Sequence, residues 1–295
     1  MTAIGLRTRR QLTRWLTRVL RSNRSRPEHI AVAGITVAQY GIARLTSRRA
    51  REEIPNGVAG WLREVDTCGY CVIPEFYDAA TCARCVAELE RLFDEYPEYV
   101  HRKSDMRLFG VEAGSNVFRA FAEDPRLLMC AECVLGEATV NAFTLGARID
   151  YAPANRGSGE GWHRDAFLVA FKAILYLSDV EPGRGPFQLI ADSEKLPRLA
   201  TDIVQARLGL AQDRIDDEQV KRLLAREPGR LRTFTGKAGT LLLVNTSSIH
   251  RGQPIEHDHR YVLTNYYVPR KHAGAEMDAH FAPVLRATPS DTNSR

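Results

Sequence analysis

The stretch GWHRDAF, residues 161–167, places an imidazole, His163, two positions from a carboxylate, Asp165. In extended backbone alternate side chains share a face, so the two can converge on one metal ion. A surface turn carrying His, Arg and Asp has the same composition, so a further ligand is needed to separate the readings. It is expected at a strand end remote in the chain, and LLLVNTSSIHRGQP supplies it: an apolar run ends in polar residues, then His250 and Gly252. Two histidines and one carboxylate on one face of an iron leave three positions open for a co-substrate and dioxygen. Ten residues later Arg260 opens RYVLTNYYV, and a planar guanidinium there suits bidentate pairing with a dicarboxylate. In FKAILYLSD, Lys172, Ile174, Tyr176 and Ser178 alternate with Phe171, Ala173, Leu175 and Leu177, so one set faces a cavity. Lys172 then either holds an acidic group of co-substrate or substrate, or reaches solvent from an edge strand. Trp162 either walls that cavity or packs beneath the sheet.

The six cysteines form three Cys-x-x-Cys pairs, Cys68/Cys71, Cys82/Cys85 and Cys130/Cys133, a spacing that zinc sites also use. Their surroundings favour packing. After Asp78, an expected N-cap, Cys82, Cys85, Val86, Leu89, Leu92 and Phe93 fall at helical core spacing. Cys130 and Cys133 sit in DPRLLMCAECVLG, an Asp-Pro start and a Gly stop around a short helix. Cysteine in such places is a small buried hydrophobe. No secretory signal is visible, so free thiols in a reducing, cytoplasmic setting are expected.

These groups need elements to carry them. At 295 residues, with 44% hydrophobic and 26% charged side chains, the chain can build a substantial core without disulfide staples. From about residue 56, GYCVIPEF reads as a strand, and helical segments follow to about 136. After NAFTLGARIDY come the strand-like runs AFLVAFKAILYLSDV, GPFQLIA, GTLLLVN and RYVLTNYYV, separated by EPGRGP, GKAG and RGQP turns, as in an antiparallel barrel or sandwich. Residues 194–232 read as a polar helical insertion, of a size that more often covers an opening than builds a core. The expected organisation is a basic N-terminal extension over 1–55, a main mixed domain over 56–275 and a flexible tail over 276–295, ending in TPSDTNSR.

Charge is unevenly placed. Residues 1–53 hold twelve arginines, no lysine and three glutamates, a surplus of nine positive charges; the whole chain carries +5, so the remainder is acidic by four. An acidic body argues against a nucleic-acid groove. Within 7–21, Arg7, Arg10, Arg14, Arg18 and Arg21 fall opposite Leu12, Trp15, Leu16 and Val19. That pattern suits either peripheral contact with an anionic membrane or packing on the body or a partner subunit. It also mimics a mitochondrial presequence. The uncharged IAVAGITVAQYGIA that follows is too short and too weakly apolar to span a bilayer.

The order WHRD … YLSDVEPGRGPFQLIADSEK … GTLLLVNTSSIHRG … HR resembles the phytanoyl-CoA dioxygenase family of iron(II)/2-oxoglutarate-dependent oxygenases, over roughly residues 66–270. The resemblance implies an α+β fold: a double-stranded β-helix, that is, a jelly-roll or cupin-like barrel, with supporting helices. It implies that His163, Asp165 and His250 ligate Fe(2+) and that Arg260 holds the distal carboxylate of 2-oxoglutarate. The reaction it implies uses O2 and releases succinate and CO2 while oxidising a small-molecule or lipid-like substrate. Halogenating relatives carry a small residue where this chain has Asp165, so hydroxylation, or another oxidation beginning with hydrogen abstraction, is the expected outcome. GPFQLIADSEK matches the family's Asn-Gly-Pro … Pro-Gly-Ser-His-Lys stretch in part: Gly185, Pro186, Ser193 and Lys195 are there, while Arg184, Ala191, Asp192 and Glu194 depart. Two other readings remain at this point, a non-catalytic metabolite-binding barrel and a cysteine-zinc interaction module in the N-terminal half.

Overall fold

A computed structural model describes residues 26–46, 56–102, 105–273 and 284–286. The basic segment 7–21 and the tail 288–295 lie outside the described residues. No helix among the described residues is long and apolar enough to cross a membrane.

The chain opens with helices α1 (Arg26–Thr46) and α2 (Asn56–Cys68), then strand β1 (Tyr70–Ile73) and helix α3 (Ala79–Glu95). Asp78 caps α3 as its sequence position suggests, accepting the Thr81 amide at 2.6 Å. Short strands β2 (His101–Arg102) and β3 (Met106–Phe109) lead into helices α4 (Val111–Gly114), α5 (Asn116–Ala122) and α6 (Pro125–Leu135). Helix α6 starts on an Asp124 cap with Pro125 in its first turn and stops at Gly136, whose φ of 75° a side chain would resist. Strands β4 (Thr139–Asp150), β5 (Phe171–Tyr176) and β6 (Phe187–Ile190) follow. Helices α7 (Leu196–Ala206) and α8 (Asp217–Leu224) come next, then β7 (Leu231–Phe234), β8 (Leu241–Asn245), β9 (His250–Gly252) and β10 (His259–Pro269).

Among the described residues the strands form two open antiparallel sheets. The larger runs β1-β8-β5-β10-β4-β3-β2 and the smaller β7-β6-β9. The closed double-stranded β-helix expected from the family resemblance is therefore corrected: no ladder joins the sheets, and each keeps two edges. The local cause lies between β4 and β5. There the chain runs through Gly157, Gly159 and Gly161, with φ of 78°, 87° and 92°, left-handed backbone that cannot continue a ladder. What would be a further strand beside β9 is reduced to an isolated bridge between His163 and His250.

Side-chain alternation divides the molecule into layers. One face of the large sheet, with Leu108, Leu175, Leu243, Tyr261 and Leu263, packs on α2, α3, α5 and α6. The opposite face carries Phe143, Leu145, Ala147, Ile174, Tyr176, Leu242 and Val262 and meets Phe187, Leu189 and Phe234 of the small sheet. A third cluster joins Val32 of α1, Trp162, Ile190 and Ile249 to Leu199, Ile203, Val220 and Leu223 of α7 and α8. The stretch 194–232 thus has its own apolar face against the small sheet, and Trp162 packs beneath that sheet rather than walling the space between the two. A buried pair ties the layer down: Arg230 Nη1 and Nη2 donate to the two Asp202 oxygens at 2.7 and 2.9 Å.

Cys71, Cys82, Cys85 and Cys130 are buried, and none of the six cysteines forms a disulfide among the described residues. Burial pushes Cys82 up to about 11 and Cys85 and Cys130 up to about 12, so these thiols stay protonated at neutral pH and pack as small apolar groups.

Candidate metal centre

Two polypeptide segments 87 residues apart make the site. The His163 amide donates to the His250 carbonyl at 2.9 Å and the His250 amide returns the bond at 2.8 Å. This reciprocal pair fixes the separation of the two imidazoles, whose ring centroids lie 4.3 Å apart. Two residues on, the Asp165 amide donates to the Thr246 carbonyl at 3.1 Å, which keeps the segment extended and brings its carboxylate to the same side.

Each imidazole is oriented through its other nitrogen. Nδ1 of His163 bonds the Gly161 carbonyl, and Nδ1 of His250 the Ser248 carbonyl, both at 2.9 Å. A carbonyl can only accept, so both Nδ1 atoms carry the proton and both Nε2 lone pairs are free to ligate. His163 Nε2 lies 3.7 Å from Asp165 Oδ1, and His250 Nε2 lies 3.9 Å from Oδ2. The three donor atoms fall within 4.8 Å of one another, and among the described residues this is the one His/Cys/Asp/Glu group with such geometry. Two neutral imidazoles and one carboxylate fit a divalent iron and leave half of an octahedron free.

The electrostatics favour those protonation states. Burial pushes His163 down, against the opposing pull of Asp165, and pushes His250 down to about 3. Burial alone would raise Asp165, but the Lys172 ammonium, then His250 and His163, hold its carboxyl well below the usual carboxylate range. Lys172 Nζ sits 2.7 Å from Asp165 Oδ2 and 4.1 Å from the centre of the Tyr266 ring. Lys172 is thus brought to the candidate metal-ligand group and does not emerge from an edge, because β5 is interior to the large sheet.

The segment bearing His250 is held from below by the stretch that departs from the family pattern. Ser193 Oγ accepts the Ile249 amide at 2.8 Å, and the Ser248 hydroxyl donates to Glu194 Oε2 at 2.7 Å. Arg164, between the two ligands of its own segment, donates to the Ser193 and Ser247 carbonyls at 2.7 and 2.5 Å. Glu194 in place of the usual histidine therefore still anchors the ligand strand. Phe187 stacks on His250, with ring centroids 5.4 Å apart.

Arg260 is placed on β10 with its side chain toward the space between the sheets, in register with Val262 of the inter-sheet cluster. It is 4% exposed, and its buried Nε has no hydrogen-bond partner among the described residues. An unsatisfied buried guanidinium N–H is costly, and a carboxylate is the group that relieves it. Burial lowers its tendency to stay charged, Tyr176 and Asp105 counter that, and Arg107 adds to it.

Several neighbours were not legible beforehand. Tyr266, Arg107, Asp105 and Ser158 reach the region from other strands and loops and carry no local motif. Gly159 did have a signal, the run GSGEG immediately before the ligand pair. A Cβ at 159 would collide with Cε1 of His163, and its φ of 87° already favours glycine.

The ectoine dioxygenase of Halomonas elongata is 28% identical over 158 residues, which cover 48% of this chain and 46% of that enzyme. The chain spans about half to about two thirds of the length of the curated ectoine dioxygenases it matches. Among solved structures, the apoform of EctD from S. alaskensis superposes with a TM-score of 0.56 at 18% identity, covering 75% of this chain and 81% of that one. HygX from Streptomyces hygroscopicus with nickel and 2-oxoglutarate bound gives 0.51 at 20% identity, covering 72% and 87%. At such identities these likenesses concern the fold. The family model for phytanoyl-CoA dioxygenase matches residues 65–260, from the end of α2 to Arg260 and across all three metal-ligand candidates, and the chain belongs to the phytanoyl-CoA dioxygenase family.

Proposed function

We propose that this protein is an iron(II)- and 2-oxoglutarate-dependent dioxygenase that hydroxylates, or otherwise oxidises by first removing a hydrogen atom, a small organic or lipid-like substrate. The observation that carries the reading is the pair of Nδ1-anchored imidazoles facing one carboxylate. His163, Asp165 and His250 hold the iron. Arg260 takes the distal carboxylate of 2-oxoglutarate, supported by its buried, unpartnered Nε. When bound, iron would supply activation of dioxygen, with 2-oxoglutarate as the two-electron reductant that leaves as succinate and CO2; one oxygen atom would go to succinate and the other to the substrate in a hydroxylation, or to water in another oxidation. The chain's share is to fix the ligand tautomers, to keep Asp165 ionised beside Lys172, and to shield the space between the sheets with Phe187, Tyr176 and Tyr266. The ectoine dioxygenases among its relatives support a dioxygenase reading at the level of reaction class. The intact ligand set disfavours a metabolite-binding protein without activity, and the buried thiols disfavour a zinc module.

Anaerobic addition of iron(II) and 2-oxoglutarate should produce the visible charge-transfer band of a keto acid chelated to iron. Replacing His163 or His250 by Ala should abolish it. Retention of the band and of metal affinity in both variants would mean that other residues ligate. Activity is then to be read as succinate release stimulated by candidate substrates.

Peripheral membrane contact through residues 7–21 is a further part of the proposal. Its support is the separation of five arginines from Leu12, Trp15, Leu16 and Val19 in the sequence.

A further inference from the structure

Helix α1 has two unlike faces. Between residues 29 and 41, His29, Val32, Ala33, Thr36 and Gly41 are buried, and the Thr36 hydroxyl donates to the Val32 carbonyl at 2.8 Å. This face lies on α7. Val32 and Ala33 share a cluster with Leu199 and Ile203, and a Cβ built on Gly41 would stand 3.6 Å from Leu196. The other face, Ile30, Ala31, Gly34, Ile35, Ala38 and Gln39, is exposed and carries no charge. Ile30 is 57% and Ile35 40% exposed, and a Cβ on Gly34 would meet nothing within 4 Å. A helix that faces water ordinarily turns charged side chains outward. In the same layer α8 does so: its Asp217, Glu218, Lys221 and Arg222 are all exposed. The outer face of α1 is composed for something other than water.

The sequence on either side indicates what that is. Residues 1–26 hold eight arginines and no acidic residue, 44–51 hold four more, and 30–43 hold no charge. An uncharged helical face between two basic segments matches an anionic lipid surface, where arginines meet head groups and apolar side chains enter the acyl boundary. A second copy of the chain fits less well. Packing α1 against α1 would bring together two N-terminal segments, residues 1–53, each with a surplus of nine positive charges. Two isoleucines among alanine and glycine also offer little against the roughly 800 Å² per partner that a stable dimer buries.

We propose that the outer face of α1 docks on an anionic lipid bilayer, Ile30, Ala31, Ile35 and Ala38 entering the acyl boundary while the flanking arginines supply the attraction. This rests on the peripheral-contact reading above and extends it from residues 7–21 to a helix fastened on the body. The face adds to the arginines and does not replace them. Helix α1 lies along the surface, since α7 occupies its other face and it is not long and apolar enough to cross a bilayer. Tyr40 of the same helix stacks on Phe167, two residues after Asp165. Ile35 precedes Tyr40 by five residues, roughly 8 Å along the helix axis. Docking thus holds the candidate metal centre beside the bilayer, where the membrane presents an amphiphilic substrate.

The test is co-sedimentation of the full chain with vesicles of equal parts phosphatidylglycerol and phosphatidylcholine, and with phosphatidylcholine alone, at low and moderate salt. The parent should bind the anionic vesicles only. Ile30→Ser/Ile35→Ser, at exposed positions, should keep the parent's Tm and bind those vesicles about 10-fold or more weakly at moderate salt, where the arginines are screened. Ala31→Trp should bind more tightly, and the fluorescence it adds should be quenched by brominated lipid. If both variants bind as the parent does and the added fluorescence is not quenched, the α1 face is overturned while the arginine reading stands. If the full chain stays in the supernatant with anionic vesicles even at low salt, both fall. A lipid-free dimer that Ile30→Ser/Ile35→Ser dissociates would assign the face to a second copy and overturn the proposal as well.

Discussion

With His163, Asp165 and His250 as the proposed ligands, Lys172 and a divalent ion would compete for one carboxylate. Without metal, the ammonium at 2.7 Å compensates Asp165; with metal, the same ammonium repels the ion. Lys172→Met should therefore act with two signs. The metal-free protein should melt lower, by about 2–4 °C for each kcal/mol lost from the unpaired carboxylate. The rise in Tm on adding iron(II) should be larger than in the parent, because metal then meets no competitor. An equal rise in both proteins would place Lys172 outside the metal's influence. Arg260 is proposed to hold a different ligand. Truncating one partner of a desolvated carboxylate pair costs about 2–5 kcal/mol, roughly 30-fold to several-thousand-fold in affinity. Arg260→Ala should thus raise the KM for 2-oxoglutarate while iron affinity stays near the parent's, and an unchanged KM would move the anchor elsewhere. At this scale the sequence carried the grouping of His163, Asp165 and His250, because the first two are two apart in extended chain and His250 ends an apolar run. It did not carry the Lys172–Asp165 contact, since the alternation in FKAILYLSD cannot say whether β5 is an edge or an interior strand.

Strands and loops decide how rigidly those residues are presented. Gly159 lies against the His163 ring, so Gly159→Ala should displace the imidazole and weaken iron binding by about 10-fold or more. Gly57→Ala is the matched control: a Cβ there meets nothing within 4 Å, and in α2 the change should be neutral or stabilising by about 0.5–1 kcal/mol. Equal metal affinity in the two variants would count against the loop as a positioning device. The small sheet's outer layer hangs on the buried Arg230–Asp202 pair. Removing one partner strands a buried charge, so Asp202→Ala should cost about 3–5 kcal/mol in denaturant unfolding. A loss under about 1 kcal/mol would show that α7 is held by its apolar face alone. Helix ends were legible here, because Asp78, and Asp124 with Pro125, are chemical start signals and Gly136 is a stop signal. Sheet closure was not. Alternating apolar residues mark a strand and its faces, but whether ladders join depends on the left-handed backbone at Gly157, Gly159 and Gly161, remote from the strands themselves.

On the scale of the whole molecule, α1 links the N-terminal segment to the site. Val32 and Ala33 pack in the outer cluster, His29 Nδ1 reaches the Leu208 carbonyl at 3.3 Å, and Tyr40 stacks on Phe167, two residues after Asp165, at 4.9 Å. The arginines that precede α1 in the sequence are thus joined to a helix that is itself fastened beside the candidate metal centre. Each arginine near an anionic surface contributes about 1 kcal/mol at moderate salt, and added salt weakens it. Full-length protein should co-sediment with anionic vesicles at low salt, and a chain starting at residue 26, which keeps α1, should stay in the supernatant. Equal recovery of both in the supernatant would leave the arginines to a protein partner or to solvent.

The reciprocal amide pair between His163 and His250 has a kinetic meaning. Neither N–H can exchange with solvent deuterium unless the bridge opens, and one opening frees both. The two amides should therefore exchange at rates set by one shared event, although 87 residues separate them and their neighbours differ. A divalent ion bound across the two rings closes that event further, so loading should slow both amides by the same factor. Amide exchange would then read metal occupancy from the backbone, with no need for a coloured ion or a known substrate.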